Sequence, residues 1–228
     1  MQKVCDWKDK GKGPFRLSDQ KSRLLEKGSC SLTIAAAGGC SKMAEGLLKI
    51  LKKNEMESPE GENYFQSIVI ITDRDESDTG DSFIKKVEDV LSEERVVLTD
   101  KIKNNQWSEC EMKTRAGDQI RMKLLVMVIP FEETGAMETF LLNAIAKQDV
   151  YDNRIIEDCK NFVDNTDIDR KYLSKRRLVT KAKFDAYFCV RTAAEAFNQR
   201  RDIIKNVPWE DYAAIKKDFK LLEDITDM

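Results

Sequence analysis

Apolar residues in the first quarter of the chain predict one strand and one helix. Residues 1–28 are rich in Lys, Asp and Gly and lack periodic apolar positions, which predicts loops. Residues 32–37 form a short apolar segment that ends at Gly38-Gly39, a pattern typical of a strand followed by a tight turn. Apolar residues then recur at helical spacing between Met43 and Leu51, with Ser41 as the predicted cap.

The middle of the chain continues this alternation. The β-branched run at 67–72 predicts a strand buried on both faces, and residues 83–91 show helical spacing. Residues 106–130 predict a hairpin that feeds another buried strand, and residues 137–145 predict the next helix. Strands that alternate with helices favour an α/β fold with a mostly parallel sheet flanked by helices.

No strand pattern follows residue 150, and the remainder reads as several amphipathic helices. The sequence therefore predicts two parts. Residues 1–150 would form the α/β domain, and residues 151–228 would form a helical C-terminal extension.

Composition excludes several kinds of chemistry. The 228 residues include no histidine, which rules out Ser-His-Asp and Cys-His nucleophiles and His-ligated zinc. The formal net charge of −2 predicts no global attraction to nucleic acid or to acidic membranes, so such binding would need a local patch. The six cysteines contain no CxxC pair and no apolar run is long enough for a membrane span, which predicts a soluble cytoplasmic protein with reduced thiols.

The strongest candidate for chemistry is the acidic stretch that follows the strand at 67–72. Asp73 and Asp75 come directly after this strand, and Asp78 follows shortly. Alternate residues point the same way, so Asp73 and Asp75 are expected to converge and to hold Mg²⁺ or Mn²⁺. The alternative is an acidic loop that caps the next helix.

Two further segments end predicted strands. Gly38, Gly39 and Lys42 would place backbone N–H groups and one cation at a helix N-terminus, where a phosphate could bind, although an ordinary glycine turn explains them equally well. Glu138 lies in the first turn of the helix after the Pro130 segment. Its side chain would either face a ligand-binding crevice at the carboxyl ends of the predicted strands or complement the helix dipole.

A basic run lies in the C-terminal part. Residues 171–183 contain six basic residues and no acid, among them Lys175, Arg176 and Arg177. These side chains could bind several phosphates of a nucleic acid, although a solvated helix face is the commoner explanation of such a run.

The combined pattern resembles a Toprim domain, and in particular the OLD-type nucleases and an uncharacterised Toprim-like branch. The resemblance rests on Gly38-Gly39 with Lys42, on Asp73-Arg74-Asp75 and on the Pro130–Glu138 segment. It implies an Mg²⁺-dependent nuclease of DNA or RNA in phage defence, with a partner ATPase; a homo-oligomer is compatible with it. The family's acidic set includes a glutamate at the end of an earlier strand. Residues 1–28 predict no such strand, and their Glu26 lies in a stretch that looks helical.

These observations lead to one main hypothesis and two alternatives. The main hypothesis is phosphodiester hydrolysis by Asp73, Asp75 and Glu138, with a metal held by Asp73, Asp75 and Asp78. The first alternative is a catalytically inactive module of the same fold that binds nucleic acid or protein. The second is a phosphate-ester enzyme acting on a small nucleotide, which would not need the basic run.

Overall fold

The computed structural model describes residues 7–13, 15–56, 64–75, 79–195 and 204–226. The chain divides into two compact units, each with its own apolar core. The first comprises residues 1–72, 78–128 and 224–228, and the second comprises 73–77 and 129–223. The predicted boundary at residue 150 lies inside the second unit.

A three-stranded antiparallel sheet, which we call sheet A, opens the first unit. Its strands are β1 (Lys8–Lys12), β2 (Arg23–Lys27) and β3 (Cys30–Ile34), in the order β1-β2-β3. The prediction of loops for residues 1–28 is therefore wrong, and Glu26 lies in a strand, where it pairs with Lys10 at 2.9 Å. Every residue of β1 is exposed, so β1 carries no apolar pattern.

A second sheet, sheet B, has four strands in the order β4-β7-β6-β5. They are β4 (Ser67–Asp73), β5 (Val97–Leu98), β6 (Trp107–Lys113) and β7 (Gln119–Ile129). The pairs β5/β6 and β6/β7 are antiparallel, whereas β4 runs parallel to β7.

The predicted mostly parallel, Toprim-like sheet is therefore wrong. Short links without a helix join β5 to β6 and β6 to β7, and such links give antiparallel neighbours. In addition, β3 and β4 belong to different sheets, so Gly38-Gly39 and Asp73 do not lie at the ends of neighbouring strands of one sheet.

The core of the first unit lies between sheet B and two helices, α1 (Met43–Met56) and α2 (Thr79–Glu93). A turn of 3₁₀-helix at Cys40–Lys42 precedes α1. The central strand is β7, where residues 124–129 are at most 1% exposed. Its neighbour β4 forms an edge of the sheet and leaves Ile71 40% exposed, so the prediction of burial on both faces fits β7 better than β4.

The described part of the second unit contains helices and the links between them. The helices are α3 (Met137–Gln148), α4 (Val150–Thr166), α5 (Arg176–Arg191) and α6 (Ala213–Asp218), with 3₁₀ turns at Ala193–Glu195, Trp209–Asp211 and Lys220–Thr226. Their core includes Ile145, Ile156, Phe184 and Tyr187. Among the described residues, no helix has the length and apolar character needed to cross a membrane.

Candidate functional site

Two loops of the second unit meet at the end of β4. The N–H of Arg74 donates to the carbonyl of Ile129 at 2.6 Å, and the N–H of Gly135 donates to the carbonyl of Arg74 at 2.7 Å. Gly135 also lies close to the first turn of α3, where a Cβ on it would be 2.6 Å from Oγ1 of Thr139. The loop 130–136 therefore folds back along residues 73–75 and brings the start of α3 to Asp73.

Asp73 is tied to the first turn of α3. Its Oδ1 accepts a hydrogen bond from the N–H of Met137 at 3.0 Å. The helix begins after Ala136, which has no side-chain oxygen, and Asp73 instead accepts from one of the first backbone N–H groups, which have no partner within the helix. This contact involves one oxygen of the carboxylate, and Glu138 is the next residue of the helix.

Two acids and one lysine contribute to the electrostatics around Asp73. Burial raises the pKa of this partly exposed carboxyl, and the neighbouring Glu138 and Asp75 raise the pKa further. The Met137 N–H and the ammonium group of Lys181 act in the opposite direction, but the pKa of Asp73 is still raised overall. The structure thus brings together the predicted residues Asp73, Asp75 and Glu138 and adds Lys181 to them.

Arg176 has a different role from the predicted one. Its Nη1 donates to the carbonyl of Asp75 at 2.6 Å, and its Nη2 donates to Oγ1 of Thr134. The guanidinium group therefore joins the start of α5 to both loops of the site. Within the described residues, the buried Nε of Arg74 has no hydrogen-bond partner.

The other basic residues of the predicted run are divided between a loop and α5. Lys175 and Arg177 are exposed at the start of α5. Lys171 lies over the ring of Tyr172, with its Nζ 5.1 Å from the ring centroid. Lys183 pairs with Asp164 at 2.7 Å and so holds α5 against α4.

The predicted metal ligands are only partly covered by the described residues. Asp78, the third predicted ligand, lies outside the described residues. Among the residues that are described, no three Asp, Glu or Cys side chains form a group that could hold an ion. The acids around Asp73 are therefore electrostatic neighbours rather than a preformed cage.

The predicted phosphate-binding residues Gly38, Gly39 and Lys42 belong to the first unit. Both glycines have positive φ angles, of +90° and +117°, and the N–H of Lys42 donates to the carbonyl of Gly39 at 3.0 Å. The turn thus requires the glycines for its own geometry. A small cavity of about 180 Å³ lies beside it, lined by Cys40, Ser41, Ala44, Phe83, Lys86 and Val87.

Comparison with protein families gives one match. The model of a family described as "Protein of unknown function (DUF3226)" matches residues 17–220. The chain belongs to this family. No curated protein and no solved structure matches the chain.

The part of the chain that matches DUF3226 includes every residue named above for the site. The positions of Asp73, Asp75 and Glu138 after predicted strands indicate these three acids in the sequence, whereas no motif indicates Thr134 or the individual role of Lys181. Lys181 stands in the basic run four residues after Arg177, which places these two on one helix face, and this spacing is the signal that the sequence offers for it.

Proposed function

We propose that this DUF3226 protein is a nuclease-like phosphodiesterase that uses Mg²⁺ or Mn²⁺ and acts on DNA or RNA. Asp73, Asp75 and Glu138 would be its catalytic carboxylates. The observation that supports the proposal is the neighbourhood of Asp73, whose pKa is raised by burial and by two further acids. Acids gathered in this way are unfavourable without a cation, and groups whose pKa is shifted by burial and by specific charged neighbours cluster at functional sites.

The donor chemistry fits a magnesium ion. Carboxylate oxygens are hard ligands, and Mg²⁺ in proteins usually keeps several waters and binds through one or two carboxylates together with substrate phosphates. Such an open site does not require a preformed group of three ligands, and the described residues contain none. When bound, the ion supplies positive charge to the phosphate and makes water a stronger nucleophile at neutral pH.

The chain's own residues orient these groups. The N–H of Met137 fixes Oδ1 of Asp73, which leaves Oδ2 as the ligand oxygen. Arg176 fixes the main chain at Asp75, so the two aspartates are held on one short segment. The charge of the Lys181 ammonium group lowers the pKa of Asp73, so this cation acts directly on the site. We assign to it the binding of a phosphate oxygen.

The test is cleavage of labelled single-stranded and duplex DNA and RNA in Mg²⁺, in Mn²⁺ and in EDTA. We expect cleavage that depends on the metal and is lost, by about 100-fold or more, in Asp73→Asn. Binding of Mn²⁺, followed by electron paramagnetic resonance, should weaken in the same variant. Asp89→Asn, which removes an exposed carboxylate from α2, is the matched control and should leave both properties unchanged.

Cleavage by Asp73→Asn at the rate of the native protein would contradict the proposed mechanism. Cleavage that persists in EDTA would contradict the use of a metal.

A second candidate function is a nucleic-acid-binding module without hydrolysis. The observation that favours it is the lack of a three-ligand group among the described residues. It predicts nucleic-acid binding that is the same in EDTA and in Mg²⁺, with no product in either. The partner ATPase and the role in phage defence stay predictions of the resemblance.

A further inference from the structure

The segment 167–177, which comprises the link between α4 and α5 and the first two residues of α5, is held by backbone hydrogen bonds to one side chain. Oδ1 of Asp167 accepts from the N–H of Lys171 at 3.1 Å, and Oδ2 accepts from the N–H groups of Tyr172 and Leu173 at 2.9 and 2.6 Å. These hydrogen bonds lower the pKa of Asp167, with Leu173 contributing most. The segment therefore presents its side chains from an ordered backbone.

This ordered segment exposes large apolar side chains. Tyr172 is 72% exposed and Ile168 is 82% exposed. Side chains this exposed contribute little apolar burial to the fold, so folding does not explain an aromatic ring at this position. The Nζ of Lys171 lies 5.1 Å from the ring centroid of Tyr172, which pairs the aromatic surface with a cation.

The segment is also basic. Residues 167–177 contain five basic residues and two acids, and the carboxylate of Asp167 is engaged by three backbone N–H groups. The side chains of Arg170, Lys171, Lys175 and Arg177 are exposed. This local patch contrasts with the net charge of −2 for the whole chain.

The segment ends at the candidate site. Arg176 contacts the carbonyl of Asp75 and the hydroxyl of Thr134. Tyr172 lies four residues before Arg176 in the loop that precedes α5. A nucleic-acid strand bound along this segment would thus extend towards the carboxylates around Asp73, which belong to the same second unit.

We propose that segment 167–177 binds single-stranded nucleic acid, with one base stacked on Tyr172 and the adjacent phosphates held by Lys171, Lys175 and Arg177. This inference rests on the proposed function and names its substrate class. Stacking on an aromatic side chain needs a base whose flat face is free, and pairing in a duplex hides that face. The segment therefore selects unpaired DNA or RNA over a duplex.

The test is fluorescence anisotropy in EDTA with three labelled probes: a mixed-sequence single-stranded DNA, the same sequence as RNA, and the DNA duplex. The variants are Tyr172→Ala and Tyr172→Phe. The matched control is Tyr151→Ala, because Tyr151 is 64% exposed in the same unit and has Arg154 over its ring at 5.2 Å. The control ring has the same local chemistry but lies near Asp149 and Asp152 rather than in a basic segment.

We expect Tyr172→Ala to weaken single-strand binding by about 5- to 150-fold, which corresponds to the loss of one stacked base. Tyr172→Phe keeps the ring and should stay within about twofold of the native affinity, as should Tyr151→Ala. A preference for the DNA or for the RNA probe supports the proposal and identifies the substrate. Unchanged binding by Tyr172→Ala, or duplex binding as tight as single-strand binding, would overturn it.

Cleavage assays separate this inference from the proposed function. Binding that depends on Tyr172, without cleavage in Mg²⁺ or Mn²⁺, would overturn the hydrolysis and leave the binding segment in place. Cleavage of a single strand that Tyr172→Ala performs at the native KM would overturn the binding segment and leave the hydrolysis in place.

Discussion

Asp73 combines a structural role with an electrostatically unfavourable one. Its Oδ1 accepts the Met137 N–H at the start of α3, where the positive end of the helix dipole favours a carboxylate. Burial and the charges of Glu138 and Asp75 disfavour the ionised form. Since the pKa of Asp73 is raised overall, their combined effect exceeds the opposite effect of the Met137 N–H and Lys181. A capping role alone would lower the pKa, so capping does not account for this group.

The charge of Asp73 should therefore lower stability in metal-free buffer at neutral pH. Because the folded pKa is raised, the stabilisation that comes from the protonated form is fully present below about pH 4 and is lost as the pH rises through the folded pKa. We expect Asp73→Asn to raise the melting temperature or leave it unchanged at pH 7, since asparagine keeps an acceptor for the Met137 N–H. The difference from the native protein should shrink towards pH 4.

Thermal unfolding in EDTA from pH 4 to pH 8 measures this effect. Asp73→Ala serves as the comparison, because it removes both the unfavourable charge and the hydrogen-bond acceptor. The loss of the acceptor should cost about 1 kcal/mol, which offsets the stability gained by removing the charge. A melting temperature for Asp73→Asn well below the native value at pH 7 would show that the carboxylate stabilises the fold.

The sequence predicted the acids of the site better than its cations. Asp73 and Asp75 follow an apolar strand, and this position alone indicates a cluster. Arg176 and Arg177 look equivalent in the sequence and both are exposed, yet Arg176 donates a hydrogen bond to the carbonyl of Asp75. The difference depends on which face of α5 each residue occupies and on loops more than forty residues earlier, neither of which local spacing encodes.

Arg191 joins three segments of the second unit. Its guanidinium donates to the hydroxyl groups of Tyr187 and Tyr212 at 2.9 and 3.1 Å and lies 3.7 Å from Oδ2 of Asp152. These partners come from α5, from the residue before α6 and from α4. Both tyrosines are buried, so their hydroxyl groups need partners inside the protein, and Arg191 is one for each of them; the Tyr187 hydroxyl also bonds to Asp152.

Arg191→Met should therefore destabilise the protein. We expect the free energy of unfolding to fall by about 2–4 kcal/mol, because buried hydrogen-bonding groups lose a charged partner. Tyr212→Phe should cost about 1 kcal/mol, since it removes one hydrogen bond. Urea denaturation measures both values, and a double-mutant cycle should show coupling between the two positions.

Arg154→Met, in which an exposed arginine on α4 is replaced, is the control and should change stability by less than about 0.5 kcal/mol. A similar small change for Arg191→Met would mean that the network contributes little to the fold.

Elements were predictable where burial imposes a pattern. The strand at 67–73, the hairpin before β7 and the helix at 137–148 all carry apolar residues at the spacing of their structure. Strands β1 and β2 were missed because Lys8–Lys12 is exposed throughout and no residue of either strand is fully buried. The sheet direction was missed for another reason, since the sequence shows where strands lie but not which strands become neighbours.

At the scale of the whole molecule, the net charge of −2 opposes nucleic-acid binding, so the response to salt should come from the local basic segment. Each phosphate neutralised on a single strand contributes about −0.7 to the slope of log K against log salt. Lys175/Arg177→Gln removes two exposed cations and leaves Arg176 in place, so it should flatten the slope by about 1.4.

Lys85/Lys86→Gln removes two exposed lysines from α2 and should keep the native slope. A salt titration of the three proteins on the single-stranded probe decides the matter. Equal slopes would show that the exposed cations of segment 167–177 do not contact phosphate, whereas equal flattening by both variants would show a response to net charge alone.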